Sequence, residues 1–234
     1  MDLTIKQDTA LTYLEDNETT EIVFGGGAGG GKSILGCFWI IKNCLRYPGT
    51  RWLIGRAKLK TLKETTLKSF FEVLKMQNLP KEIISYNAQT SHITFINGSE
   101  IFLKDLFYYP SDPDFDEFGS LEITGAFIDE ASQVTVKAKN IVKSRMRFKL
   151  IEYNLIPKLL ITTNPTRGWI FDDFYEPDSE GTIEKHRKFV PSLFSCLYRL
   201  ILSILNIANS MYKPQYPNFN LLRLISSKLS RVSS

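Results

Sequence analysis

The stretch Gly26-Gly27-Ala28-Gly29-Gly30-Gly31-Lys32-Ser33 decides how the rest of this 234-residue chain is interpreted. It fits the pattern G-x-x-x-x-G-K-[ST] and lies between a β-prone run at residues 21–24 and a helical pattern at residues 32–45. Glycines allow a concave loop of inward-pointing N–H groups, because they lack Cβ and tolerate positive φ. We therefore expect a phosphate-binding loop, with Lys32 on the β- and γ-phosphates and the Ser33 hydroxyl on Mg²⁺. A flexible glycine linker is the alternative, but a linker need not end in Gly-Lys-Ser after an apolar strand.

A second apolar run, residues 125–128, ends in two carboxylates, Asp129 and Glu130. After a phosphate loop, we expect Asp129 to hold Mg²⁺ with Ser33 and water, and Glu130 to polarise the attacking water as a catalytic group. Successive side chains at a strand end point in different directions, so adjacent acids can serve different roles. Without the phosphate loop, such a pair would more often be a solvated turn.

Strand and helix patterns alternate along the chain. Further strands are predicted at residues 51–56 and 158–162, and helices at residues 59–76 and 134–148. Asn97-Gly98, between β-prone runs at residues 91–96 and 100–103, predicts an antiparallel hairpin. The fold expected is α/β: a P-loop NTPase of the ASCE type, with a parallel sheet flanked by helices and a small antiparallel hairpin insertion.

The distribution of charge divides the chain into two parts. Residues 1–190 contain 24 Lys and Arg and 25 Asp and Glu, whereas residues 191–234 contain five basic residues and no acid. The formal charge of +4 therefore lies in the tail and is no evidence for DNA binding by the first part. We expect an ATPase domain at residues 1–190. Residues 191–234 are expected to be a tail that arose by a reading-frame change or a truncation, or that is a real segment.

Targeting signals and metal-ligand spacings are weak in this sequence. The first four residues begin no secretory signal, and the three cysteines lack CxxC spacing, which favours the cytoplasm. The apolar run at residues 193–208 has 16 residues, fewer than the roughly 20 that span a bilayer, so no membrane span is expected. Neither His92 nor His186 has metal-ligand spacing, so Mg²⁺ is the metal inferred.

Taken together, these segments resemble the large terminase subunit of tailed bacteriophages, the ATPase that drives genomic DNA into a preformed capsid. The resemblance covers about residues 1–190. It rests on the motifs FGGGAGGGKS (24–33), GAFIDEAS (125–132), ITTNP (161–165), GWIFDDF (168–174), LTIKQ (3–7) and RWLIGRAKLKTLKET (51–65). Each motif alone is unspecific, but the combination and its spacing are specific.

The resemblance implies roles for several residues. Thr162, Thr163 and Asn164 would form a coupling motif that links loss of the γ-phosphate to DNA movement; an ordinary strand-to-turn exit is the alternative. Gln7 would contact adenine, although a solvent-exposed glutamine is also possible on the residues alone. An arginine would stabilise the transferring phosphate, with Arg56, Arg145 and Arg147 as candidates. The basic helix would track DNA phosphates or be a solvated face, through Lys137, Lys139, Lys143, Arg145 and Arg147.

The resemblance also implies partners and limits. ATP and Mg²⁺ are the expected cofactors. The expected partners are double-stranded phage DNA, a small terminase subunit, a capsid portal protein and further copies in a homo-oligomeric ring, all in a bacterial host. Two-metal nucleases need clustered carboxylates, which residues 191–234 lack, so no nuclease activity is expected. Two alternatives are a catalytically weak or dead prophage remnant and another P-loop motor such as a helicase.

Overall fold

The computed structural model describes residues 3–27, 30–164 and 166–191. A mixed sheet of eight strands, in the order β3-β4-β5-β2-β6-β7-β1-β8, forms its centre. The strands are β1 (Glu21–Gly25), β2 (Arg51–Arg56), β3 (Ile84–Asn87), β4 (His92–Phe95), β5 (Glu100–Asp105), β6 (Gly125–Ile128), β7 (Lys158–Thr163) and β8 (Arg187–Pro191). The six strands from β5 to β8 in this order are parallel neighbours, whereas β4 runs antiparallel to both of its neighbours, β3 and β5.

Helices cover both faces of the sheet, as the apolar strands require. The helices are α1 (Ile5–Glu15), α2 (Lys32–Arg46), α3 (Leu59–Glu64), α4 (Thr66–Met76), α5 (Val136–Ser144) and α6 (Glu176–Glu180). Successive strand residues point to opposite faces, so Ile22 and Phe24 pack with α1, α2 and α4, while Val23 packs with α5 on the other face. The α/β fold with helix-flanked strands is confirmed. No described helix is long and apolar enough to cross a membrane.

The helix predicted at residues 59–76 is wrong in one respect, because it is broken at Thr65. That residue has φ −126° and ψ −73°, outside the helical region, so α3 ends and α4 begins there. The Thr65 hydroxyl donates to the carbonyl of Thr61 at 2.7 Å and accepts from Arg56 on β2 at 2.5 Å. Hydroxyl groups that bond to the backbone in this way compete with regular helix geometry.

The Asn97-Gly98 hairpin is present, but it is not a separate insertion. Its second strand, β5, pairs in parallel with β2, so the hairpin extends the main sheet. A further strand at this edge, β3, was not predicted, and neither was β8 at the opposite edge. The basic helix α5 is also shorter than predicted: Thr135 caps its start by accepting from the N–H of Ala138 at 3.2 Å, and it ends at Ser144.

Candidate functional site

The candidate site lies at the carboxyl ends of the parallel strands, where ligands bind in open α/β sheets. Strands β1, β6 and β7 are neighbours there, with Gly25 in register with Thr163. They bring the predicted phosphate loop, the acidic pair and the Thr-Thr-Asn segment to one edge. A pocket of about 290 Å³ opens at this edge and is lined by Gly30, Gly31, Lys32, Ser33, Ile34, Ser69, Asp129, Glu130 and Asn164.

The phosphate loop follows β1 and leads directly into α2. Gly26 and Gly31 have φ of 153° and 64°, values that favour glycine. A Cβ at Gly31 would lie 2.4 Å from the Gln7 amide nitrogen, so a side chain there would displace the end of Gln7 and would also have to adopt a left-handed backbone conformation. Because α2 begins at Lys32, the first N–H groups of this helix face the pocket side and are available to an anion. Ala28, Gly29 and Pro165, which the sequence motifs include, lie outside the described residues.

The Lys32 side chain is folded back onto the phosphate loop. Its Nζ donates to the carbonyls of Gly26 and Gly27, both at 2.7 Å. Burial lowers the pKa of Lys32, and the carboxylates of Asp129 and Glu130 partly oppose that shift. The ammonium group is therefore held at the pocket by neutral carbonyls, which it can exchange for phosphate oxygens.

Asp129 is buried and accepts hydrogen bonds from three hydroxyls on three different elements. Ser33 on α2 lies 3.2 and 3.0 Å from its two oxygens, Thr162 on β7 lies 2.5 Å from Oδ1, and Thr66 on α4 lies 2.6 Å from Oδ2. A buried carboxylate requires such partners because burial removes its hydration. The Ser33 hydroxyl and the Asp129 carboxylate also suit Mg²⁺, which takes oxygen ligands and is usually held by one or two carboxylates plus substrate phosphates.

Glu130 faces the same pocket from a left-handed backbone conformation, with φ 49°. Its carboxylate pairs with the guanidinium of Arg56, whose side chain is only 8% exposed. Arg56 also lies 3.8 Å from the Asp129 carboxylate. Arg56, a candidate for the arginine that stabilises the transferring phosphate, thus lies beside Asp129 and Glu130 of its own chain.

The Thr-Thr-Asn segment connects the phosphate loop to the acidic pair. The Thr162 hydroxyl donates to Asp129 and accepts from the backbone N–H of Glu130 at 3.4 Å. The carbonyl of Thr163 accepts from the N–H of Gly26 at 3.1 Å, and the Thr163 hydroxyl donates to the carbonyl of Asn164 at 2.9 Å. Asn164 lines the pocket. A shift of this segment would therefore change the hydrogen bonds of both Asp129 and Glu130.

Gln7 lies at the phosphate loop, but both ends of its amide are engaged. Its Nε2 donates to the carbonyl of Gly31 at 3.0 Å, and its Oε1 accepts from the N–H of Thr4 at 2.9 Å in a capping box. An adenine contact by Gln7 stays a prediction; the second N–H of its amide and the second lone pair of its Oε1 are the groups that could make it while the bond to Gly31 is kept.

The cations of the basic segment differ in their surroundings. Lys139 is 3% exposed and lies 3.4 Å from the buried carboxylate of Glu21, which also pairs with Lys143. Burial alone would raise the pKa of Glu21, but Lys143, Lys139 and Arg187 outweigh it and lower that pKa. Lys139 is therefore not accessible to a DNA phosphate in this structure, and Lys143 holds a buried acid.

Two other cations of this segment lie in surface ion pairs. Lys137 pairs with Asp114 at 2.6 Å, and Arg147 pairs with Glu122 at 2.9 Å. Arg145 is half-buried and its Nε has no hydrogen-bond partner among the described residues. DNA contact by these residues stays a prediction.

Sequence reasoning missed three residues at the site: Thr65, Thr66 and Ser69. Thr65 contacts Arg56, Thr66 contacts Asp129, and Ser69 lines the pocket. They fall inside what reads as one amphipathic helix, so their approach to the site depends on the break at Thr65. The adjacent hydroxyls of Thr65 and Thr66 inside an otherwise helical pattern are the one signal that could have indicated them, because such hydroxyls bond to the backbone and compete with helix geometry.

Known proteins share the fold. The large terminase of a thermophilic bacteriophage, in complex with ADP, has a TM-score of 0.64 at 14% identity, covering 92% of this chain and 50% of its own. The ATPase domain of the Thermus phage P74-26 large terminase has a TM-score of 0.59 at 12% identity, covering 95% and 90%. The large terminase of bacteriophage HK97 has a TM-score of 0.59 at 14% identity, covering 81% and 39%. The chain thus spans about half the length of the first of these terminases.

The comparison by sequence identifies a family, whereas the structural matches show only a shared fold. None of the curated proteins matches the chain. A family model described as phage terminase large subunit matches residues 17–192, most of the chain and all of the site except Gln7. The chain belongs to the phage terminase large subunit family.

Proposed function

We propose that residues 1–190 form the ATP-hydrolysing motor domain of a terminase large subunit, which powers movement of double-stranded DNA into a capsid. One observation carries the proposal. Lys32, Ser33, Asp129 and Glu130 come from two distant segments and meet at one pocket beside a helix N-terminus. This is the set of groups that phosphoryl transfer from a nucleoside triphosphate requires.

Nucleotide binding would use the phosphate loop and Lys32. The backbone N–H groups at the start of α2 and the Lys32 ammonium would bind the phosphates, once Lys32 exchanges the carbonyls of Gly26 and Gly27 for phosphate oxygens. Structures of the thermophilic-phage terminase in complex with ADP and with ATP-γ-S support this choice of ligand. Gln7, next to Gly31, is proposed to contact the adenine ring.

Hydrolysis would depend on the acidic pair. Ser33 and Asp129 would hold Mg²⁺, which when bound neutralises charge on the phosphates. Glu130 would orient a water molecule and accept its proton, since its carboxylate is at the pocket and its side chain stays 33% exposed beside Arg56. Arg56 would fix the direction of Glu130, and Thr162 would transmit changes at Asp129 and Glu130 to β7.

DNA, a small terminase subunit, a portal protein and further copies in a ring are the proposed partners. For DNA we propose the exposed cations Lys137 and Arg147 and the half-buried Arg145, because Lys139 and Lys143 are engaged with Glu21. Exposed ion pairs are weak, so phosphates can replace Asp114 and Glu122 as partners. We expect no nuclease activity from this chain, since residues 191–234 supply no carboxylate.

Steady-state ATP hydrolysis by the full chain, with and without double-stranded DNA, tests the motor. We expect turnover that DNA increases, and Lys32→Ala should abolish it in both conditions. ATP binding without turnover, in either condition, would instead favour the catalytically dead remnant. Turnover that DNA leaves unchanged would support an ATPase but contradict the motor.

A further inference from the structure

Three hydroxyls donate to the Asp129 carboxylate, and the one from Thr66 belongs neither to the phosphate loop nor to the Thr-Thr-Asn segment. Thr66 is the first residue of α4 and is 1% exposed. Its Oγ1 donates to Asp129 Oδ2 at 2.6 Å, and the Nη1 of Arg56 lies 3.4 Å from the same Oγ1. Thr66 thus contacts Asp129 directly and also contacts Arg56, the ion-pair partner of Glu130.

The three hydroxyls around Asp129 are not equivalent. Thr162 lies on Oδ1, Thr66 lies on Oδ2, and Ser33 lies within 3.2 Å of both oxygens. Ser33 is the hydroxyl that would turn to a metal. Thr66 and Thr162 would then remain as the hydroxyl donors that hold the two ends of the carboxylate. Without Thr66, the nearest charged donor to Oδ2 is Arg56 at 3.8 Å.

Packing and a main-chain hydrogen bond fix the position of Thr66. The break at Thr65 starts α4 beside the site, and α4 packs its Phe70 into the core shared with α2. The carbonyl of Thr66 also accepts from the Cys37 thiol on α2 at 3.5 Å. A side chain fixed on both backbone and hydroxyl can define the rotation of the carboxylate that it contacts.

We propose that Thr66 is a positioning residue for metal-bound nucleotide: its hydroxyl orients the Asp129 carboxylate toward the metal and keeps Arg56 on Glu130. The proposal rests on the proposed function, because it concerns the same pocket. Groups that orient a metal ligand commonly contribute about tenfold or more to metal affinity. Loss of the Thr66 hydroxyl should therefore weaken metal-dependent nucleotide binding, and only the metal-dependent part.

The test compares Thr66→Val, which removes the hydroxyl at nearly constant shape, with Thr66→Ser, which retains it. Binding of a fluorescent ATP analogue to the full chain is titrated in EDTA and at increasing MgCl₂, and thermal unfolding is recorded for each protein. For Thr66→Val we expect the Mg²⁺ concentration at half-saturation to rise about tenfold, with affinity in EDTA within about twofold of the wild type. Thr66→Ser should behave like the wild type. Thr12→Val, at an exposed threonine whose hydroxyl donates to the carbonyl of Asp8, is the matched control.

Two results would overturn the proposal for Thr66 while leaving the proposed function intact. One is a Thr66→Val protein with an unchanged Mg²⁺ titration. The other is an equal loss of affinity with and without Mg²⁺ together with a lower Tm, which a merely structural threonine would give. A wild-type protein whose nucleotide binding ignores Mg²⁺ would overturn this inference before any variant is compared, whereas the proposed function is decided separately by turnover.

Discussion

The guanidinium of Arg56, at the end of β2, contacts the carboxylate of Glu130, which follows β6. The two strands are direct neighbours in the sheet, with Gly55 in register with Ile128, so the residues that follow these two positions lie close together. Thr65 accepts a further hydrogen bond from Arg56 at 2.5 Å and fixes the other edge of the guanidinium. Arg56 of the same chain thus orients Glu130. From the family resemblance, Arg56 was only one of three candidates for the arginine that stabilises the transferring phosphate.

Replacement of Arg56 by alanine should lower ATP turnover at least tenfold while changing nucleotide affinity little. The reason is that Glu130 would lose the group that orients it, whereas Lys32 and the phosphate loop would be untouched. Turnover and binding of a fluorescent ATP analogue measure the two effects. Arg56→Lys should recover only part of the turnover, because an ammonium group cannot bridge Thr65 and Glu130 in the way that the guanidinium does.

Mixing experiments separate this role from that of an arginine supplied to a neighbouring subunit. Arg56→Ala and Glu130→Gln proteins are combined at several ratios and assayed for turnover. If Arg56 acts within its own chain, no site in the mixture has both residues and activity stays at background. Recovery of activity in the mixture would show that Arg56 acts on the next subunit and would contradict the orientation described above.

The exposed and buried cations of the basic segment should respond differently to substitution. Lys137→Gln combined with Arg147→Gln should weaken DNA binding and reduce the slope of log K against log salt by about 0.9 for each phosphate that no longer has a cation partner. DNA titrations at several salt concentrations measure that slope. Lys81→Gln, an exposed lysine beside β3 at the other edge of the sheet, is the control. An unchanged slope in the double variant would exclude this surface from DNA contact.

Lys139→Met should lower the free energy of unfolding and leave the salt dependence of DNA binding unchanged. The variant removes a cation that lies 3.4 Å from the buried Glu21 carboxylate and leaves this acid to Lys143 and Arg187. Loss of one partner of a buried charge costs roughly 1–3 kcal/mol of unfolding free energy. Urea unfolding measures it. A Lys139→Met protein of wild-type stability with weakened DNA binding would restore the interpretation of Lys139 as a DNA contact.

Asp16 should make stability depend on acid pH. Burial would raise its pKa, but hydrogen bonds from Lys158 and Thr19 outweigh burial and lower the pKa to about 2, from 3.8. A folded-state pKa below the unfolded value stabilises the fold above about pH 4, and this contribution is lost as pH falls toward 2. Asp16→Asn removes the ion-pair partner of Lys158 at every pH, but the wild type has already lost part of the Asp16 contribution at pH 3. The variant should therefore lower Tm at pH 7 and have a smaller effect at pH 3. Equal losses at both pH values would contradict this account.

The sequence predicts the nucleotide site better than its surroundings. Lys32, Ser33, Asp129 and Glu130 follow directly from local patterns, because phosphate loops and acidic strand ends place their own side chains at the carboxyl edge of the sheet. Thr66 does not follow, since nothing in the helical pattern around it contains the glycine or proline that marks a break. The edge strands β3 and β8 are short and half-exposed, so they carry little apolar signal.

The local sequence also does not determine which charged side chains are exposed and which are paired with a buried group. Lys139 and Lys143 look like a basic helix face because their partner, Glu21, is more than a hundred positions earlier in the chain. Only the packing of α5 over the start of β1 turns these lysines into partners of a buried acid. A basic run in the sequence therefore predicts a polyanion surface only for those cations that the fold leaves exposed.

ATP turnover by Glu130→Gln, compared with the wild type at saturating ATP and Mg²⁺, tests the central claim most directly. The amide keeps the size of the side chain and can still approach Arg56, but it cannot accept a proton from water. We predict nucleotide binding within about threefold of the wild type and turnover reduced at least a hundredfold, the effect expected for loss of a general base. Undiminished hydrolysis by this variant would remove Glu130 from the mechanism and contradict the account of the site.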